Sequence, residues 1–160
     1  MVSITEALWL GAFAGRERRH ALANSRITHL LNVSDTPSVL AADDGMLREV
    51  AWHPIVDFSR IPEDIALACL STLHRMVCED CARVYVHCMA GWNRSPTVVW
   101  LYLVACAMSP RAARALIEAR AHDAVPAHTG LVDGGLVQAV TDFGAAHFLP
   151  HPRPEALVPS

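Results

Sequence analysis

Apolar positions in this chain follow two rhythms, and the elements can be read where one gives way to the other. Short runs rich in β-branched and aliphatic residues, bounded by polar or turn-forming ones, predict strands. They lie across Ile4 to Leu10 as one or two short strands, at Ile27 to Val33, at about Glu49 to Val56 with Pro54 near the end, and at Arg83 to His87. Between them the apolar spacing widens to three and four. Arg16 to Ala23 predicts a helix that Asn24-Ser25 ends, and Ser34 to Gly45 a polar loop with room for a helical turn. Ile65, Cys69, Leu73 and Met76 recur at helical spacing, with Pro62 expected at the first helical position and Glu63 and Asp64 in the first turn.

The second half is helical throughout. Pro96 to Met108 is an apolar run of 13 residues, too short to cross a bilayer and suited to a helix buried on all sides, with Ser95 as its expected cap. Ser109-Pro110 repeats the start signal for a helix whose core stripe is Ala113, Leu116 and Ile117, and a last helix is expected over about Leu131 to His147. Leu149 to Ser160 holds Pro150, Pro152, Pro154 and Pro159 and predicts an extended tail. The expected organisation is one domain over residues 1–148 followed by a Pro-rich tail over 149–160. Strands alternating with helices, then helices alone, predict an α/β fold in which helices flank a small central sheet. Its ligand belongs at the carboxyl edge of that sheet, where the strand ending at His87 hands over to a helix.

Composition narrows the function classes. With 160 residues, 52% of them hydrophobic and 18% charged, and a mean hydropathy of +0.26, the chain can bury a core without disulfides or metal. A net charge of −3 provides no global positive field for nucleic acid or an anionic membrane, so any anion must be held locally. The five cysteines have no secreted-scaffold spacing and fit a reducing compartment, the cytoplasm. Met1 to Gly15 contains an apolar stretch but lacks a basic leading region and carries Glu6, unlike a signal peptide. Cys78-Glu-Asp-Cys81, four residues after His74, has no matching second cysteine pair, so neither metal nor cofactor is expected. Arg60, Arg111 and Arg114 read as a solvated surface rather than a steering patch.

One stretch carries chemistry. Cys88 opens a short loop after a strand and Arg94 closes it at a helix start, an arrangement that makes an anion cradle. Backbone amides from Met89, Ala90, Gly91, Trp92, Asn93 and Arg94 can turn inward around a phosphate. Gly91 permits the turn, and the guanidinium of Arg94 can bind two phosphoryl oxygens at once. Donors that hold a phosphate also favour a thiolate, so Cys88 is the expected nucleophile. Ser95 offers a hydroxyl close to the sulfur, suited to easing its departure later, and His87 is expected to orient the loop from behind. The leaving group also needs a proton. Asp57, on a loop following an apolar strand, is the expected general acid. Asp64 competes, but an acidic residue in a first helical turn has an ordinary role against the helix dipole.

These residues resemble the protein tyrosine phosphatase superfamily, and within it the small dual-specificity phosphatases. Val86-His-Cys, five residues, then Arg94-Ser-Pro96 is similar to the family's signature loop. Ile4 to Gly11 resembles its opening strand pair, Ile27 to Ser34 its next strand, and Asp133 to Gln138 the start of its last helix. Asp57 stands 31 residues before Cys88, as the family's general acid does. The resemblance implies a mixed sheet and hydrolysis of phosphotyrosine and phosphoserine or phosphothreonine through a phosphocysteine intermediate. The partner is then a phosphorylated protein, or a small phosphate ester, with no membrane and no nucleic acid expected; oligomeric state is not specified. The uncharged loop interior departs from the lysine-rich loops of members that cut phosphoinositides. Asn93 is similar to the branch acting on RNA 5′ phosphates, an alternative substrate together with small metabolites. A phosphate-binding pseudophosphatase is disfavoured because nucleophile, arginine and acid are all present.

Overall fold

A computed structural model describes residues 1–148, and the tail expected over 149–160 lies outside the described residues. Strands β1 (Val2–Ser3), β2 (Leu8–Gly11), β3 (His29–Asn32), β4 (Glu49–Trp52) and β5 (Val84–His87) form one sheet in the order β1-β2-β5-β3-β4. Only the β1–β2 pair is antiparallel; β2, β5, β3 and β4 run parallel, which makes the sheet mixed as expected. The central strands β3 and β5 are buried at every position, as a parallel sheet covered on both faces demands.

Side chains alternate between the two faces. Val84 and Val86 of β5 and Leu31 of β3 join the larger core cluster, beneath α2 (Glu63–Val77), α3 (Arg94–Ala105), α4 (Pro110–Arg120) and α5 (Gly134–His147). Tyr85 and Leu30 face the other way, into a smaller cluster closed by Leu22 of α1 (Arg19–Asn24) together with Leu40 and Leu47. Helix α3 touches β2, β5 and the three helices α2, α4 and α5, and all its residues are buried, so the all-round apolar run has the central role its pattern predicts.

Boundaries differ from the sequence reading where local sterics or tertiary bonds decide them. The stretch from Ile4 is a turn rather than strand: Ile4 and Thr5 both donate their amides to the Leu8 carbonyl, which splits the opening segment into β1 and β2. The helix expected from Arg16 begins as a 3-10 turn over Arg16–Arg18 and becomes α-helical only at Arg19. Pro62 holds an extended ψ of 140° and caps α2 instead of starting it. β4 stops at Trp52, two residues short of Pro54, and no helical turn forms in 34–45. The last helix starts at Gly134 because the Asp133 carboxylate accepts the Leu136 amide at 2.8 Å. Among the described residues no helix is long and apolar enough to cross a membrane.

Candidate active site

β5 ends at His87 and α3 begins at Arg94, so six residues make the turn and Cys88, 2% exposed, heads it. The turn is clipped to the protein from two sides. The Phe13 amide donates to the Met89 carbonyl at 3.0 Å, and the Val125 amide to the Trp92 carbonyl at 2.7 Å. At Gly91 φ is +82°, and a Cβ there would stand 2.6 Å from the carbonyl carbon of Gly11, so both conformation and space require glycine.

Two donors converge on the sulfur. The Gly91 amide donates to Cys88 Sγ at 3.3 Å and the Ser95 hydroxyl at 3.4 Å, with the amino end of α3 adjoining. Ser95 is therefore not the cap it was expected to be. It lies inside the first turn of α3, fully buried, while Asn93 occupies the cap position without a side-chain cap bond. Starting the helix at Arg94 turns the serine hydroxyl toward the sulfur.

Arg94, only 5% exposed, draws three loops together. Its Nη1 donates to Asp35 Oδ1 at 3.0 Å and to the Ile55 carbonyl at 3.1 Å, and its Nε lies 3.5 Å from Asp57 Oδ2. Asp35 follows β3, Ile55 and Asp57 follow β4, and Cys88 follows β5, all at the carboxyl ends of parallel strands. Asp64 stays exposed on the first turn of α2. Asp35 escaped the sequence reading, which took 34–45 as a plain loop. A signal existed in the polar cluster Asn32, Ser34 and Thr36: Asn32, buried at the end of β3, accepts from the Ser34 amide and hydroxyl at 2.9 and 2.7 Å and fixes the turn that presents Asp35. The Arg94 hydrogen bond holds the Asp35 carboxyl below its ordinary range.

The loop bearing Asp57 is anchored on residues 128–133. The Ile61 amide donates to the Leu131 carbonyl at 2.8 Å, Arg60 pairs with Asp133, and the Phe58 ring meets His128 edge-on at 5.4 Å. His128 in turn donates its amide to Thr97 Oγ1 of α3 at 3.3 Å. Behind the cysteine, His87 sits between Phe13 at 5.2 Å and Tyr85 at 5.6 Å, and burial pushes its pKa down to about 4, so the ring is neutral. Arg60 and Arg114 are paired with Asp133 and Glu118, and Arg111 is exposed, which leaves no basic cluster among these three.

The arrangement can hold a tetrahedral anion between the loop amides and Arg94, with a carboxylate beside it and a sulfur beneath. Metal-ligand spacing occurs elsewhere, where Glu79 meets His29 and Glu49, register partners at the amino ends of β3 and β4. Both carboxylates there already have cationic neighbours: Arg75 takes the two oxygens of Glu49 at 2.6 Å each, and Arg48 lies 3.8 Å from Glu79. Cys78 Sγ is 3.7 Å from His74 Nε2, but this pair does not join Cys81 in a three-ligand group among the described residues.

Comparison with known proteins places the chain in a family. Residues 12–133 match the family model described as the Swiss Army Knife protein, DSP-PTPase phosphatase domain. Dual specificity protein phosphatase 15 of Homo sapiens is 29% identical over 104 residues, covering 63% of this chain and 33% of the relative. Dual specificity protein phosphatase 5 of Homo sapiens is 34% identical over 105 residues, covering 64% of this chain and 26% of that one. The chain thus spans about a third or less of the length of these relatives. In three dimensions the crystal structure of PTPMT1 superposes with a TM-score of 0.75 at 17% identity, over 94% of this chain and 99% of the other, a likeness of fold.

Proposed function

Because this chain belongs to the Swiss Army Knife DSP-PTPase family of phosphatase domains, we propose that it hydrolyses phosphate monoesters through Cys88, acting on phosphotyrosine and phosphoserine or phosphothreonine in proteins. The observation that carries the reading is the convergence of the Gly91 amide and the Ser95 hydroxyl on one sulfur, at 3.3 and 3.4 Å, beside a buried arginine. Substrate phosphate enters the cradle of amides from Met89 to Arg94, and its oxygens engage the Arg94 guanidinium. The Cys88 sulfur attacks phosphorus, the bond to the ester oxygen breaks, and Asp57 donates a proton to that oxygen. Water then attacks the phosphocysteine, giving its proton to Asp57, and the phosphorus–sulfur bond breaks with the Ser95 hydroxyl donating to the departing thiolate. His87, neutral and packed between two rings, keeps the base of the loop in place.

The thiol chemistry is expected to be confined to this site. Burial pushes the Cys69 pKa up to about 12, and Cys106 is buried as well. Cys78 and Cys81 are exposed but lie at the far end of α2, where burial raises the Cys78 value. Five reduced cysteines fit a cytoplasmic setting. The test is hydrolysis of para-nitrophenyl phosphate without added metal, with EDTA tolerated and vanadate inhibitory. Cys88→Ser should abolish turnover while phosphate still binds the cradle, whereas turnover surviving in Cys88→Ser overturns the mechanism.

A further inference from the structure

Of the eight large apolar side chains exposed among the described residues, five border the Cys88 site: Val56, Phe58, Met89, Trp92 and Val125. Val56 and Phe58 flank Asp57 in the chain, each 70% exposed, and Met89 and Trp92 belong to the loop itself, at 44% and 57%. Val125 is bonded through its amide to the Trp92 carbonyl, which ties it to the loop that carries Met89 and Trp92. Such grouping of apolar surface costs solubility and marks a contact face rather than scatter. Phe58 adds an independent sign. Its φ of 56° lies in the left-handed region, unfavourable for a bulky side chain, and its ring stays exposed.

Beside Trp92 the rim continues into a cleft of about 270 Å³ walled by Val2, Leu10, Ala121 and Ala124, with Arg120 and Asp123 offsetting each other in charge. Around the mouth stand two carboxylates, Asp35 with a side chain 68% exposed and the half-buried Asp57, both beside the buried Arg94, while Arg60 pairs with Asp133. The chain contains no lysine. We propose that this rim selects phosphorylated segments of proteins whose residues on either side of the phosphorylated side chain are apolar, the cleft beside Trp92 taking one of them. The inference rests on the phosphatase reading above and specifies its substrate class. A lipid phosphate in a membrane would also be apolar on one side, but recognition of an anionic surface draws on clustered lysine and arginine, which this rim lacks. Acidic flanks would meet the exposed carboxylate of Asp35, whose partner Arg94 is the arginine that binds the substrate phosphate.

Three phosphotyrosine peptides differing only in their flanks, with leucine and valine, with serine and glutamine, or with glutamate, are compared with para-nitrophenyl phosphate and with phosphatidic acid in vesicles. The apolar peptide should exceed the polar one by about tenfold in kcat/KM, the scale of one apolar side chain entering a pocket, and the acidic peptide should be slowest. Val56→Thr and Val125→Thr, which keep the β-branched shape and remove apolar surface, should bring the ratio of apolar to polar peptide toward one while hydrolysis of para-nitrophenyl phosphate is unchanged. Equal rates on the three peptides with para-nitrophenyl phosphate still cleaved overturn the inference and leave the phosphatase reading standing. Faster hydrolysis of vesicle phosphatidic acid than of the apolar peptide also overturns it. Absence of turnover on para-nitrophenyl phosphate defeats the underlying reading and this one with it.

Discussion

At the scale of single residues, the two candidate acids separate by what they touch. Asp57 reaches within 3.5 Å of Arg94, whereas Asp64 is exposed on the first turn of α2. An acid matters most when the departing oxygen is a poor leaving group, so Asp57→Asn should slow phosphopeptide hydrolysis by about 10² to 10⁴-fold and activated aryl phosphates much less. Asp64→Asn is the matched control, and if it alone shows leaving-group dependence the assignment belongs to Asp64. Gly91 supports a second prediction. An alanine there meets the Gly11 backbone and must adopt φ +82°, so the loop shifts and kcat should fall by about 10²-fold on every substrate. A Gly91→Ala enzyme at full speed would show that the loop has room the geometry denies it. Cys88, Arg94 and Gly91 were legible in the sequence because one contiguous loop holds them. Asp35 and the Ile55 carbonyl were not, since they reach Arg94 from other strands and only the parallel register brings them there.

Among the elements, α3 was the easiest to foresee and its end is the most informative. Its all-round apolar composition predicts burial, and every residue from Arg94 to Ala105 is buried. After Cys106 the chain turns with Ala107 at φ 67°, the Ala107 amide donating to the Val104 carbonyl and the Met108 amide to the Leu103 carbonyl. This is the left-handed helix stop that normally carries glycine. Ala107→Gly should therefore raise stability by about 1 kcal/mol, read as a higher urea midpoint with unchanged slope; a lower midpoint would mean that the alanine methyl contributes packing worth more than the strain. Element types followed from periodicity, but several ends did not. Ile4 to Ala7 has the composition of a strand, yet two amides folding back onto the Leu8 carbonyl make it a turn. Pro62 looked like a first helical residue because its φ suits one, but ψ, which proline leaves open, decided for a cap. Ser95 was read both as a helix cap and as a hydroxyl beside the sulfur, and only the second reading matches the structure, because the helix starts one residue before it and the hydroxyl donates to Cys88 Sγ.

For the whole molecule, three histidines link the fold to acidity. Burial lowers the pKa of His29, His53 and His87, outweighing the Glu79 carboxylate that pulls His29 the other way. Between pH 6.5 and about 4 the unfolded chain binds protons that folded His87 refuses, so stability declines as pH falls through that window and is fully present above it. His87 alone accounts for on the order of 2 kcal/mol lost by pH 5. Below that window the carboxylates follow. Asp35, Glu49 and Asp133 are held low by Arg94, Arg75 and Arg60, and each loses its support as it becomes protonated. The urea midpoint should therefore drop between pH 7 and pH 5, before carboxylates titrate, and a flat profile over that interval would contradict a neutral buried His87.

The bonds from Phe13 to Met89 and from Val125 to Trp92 run entirely between main-chain atoms. A loop fixed in this way keeps its shape whatever side chains it carries at 89, 90 and 92, provided glycine remains at 91. Descendants of this gene can therefore exchange those side chains, and drift from one set of targets to another, without first losing the reaction that selection would need in order to keep them.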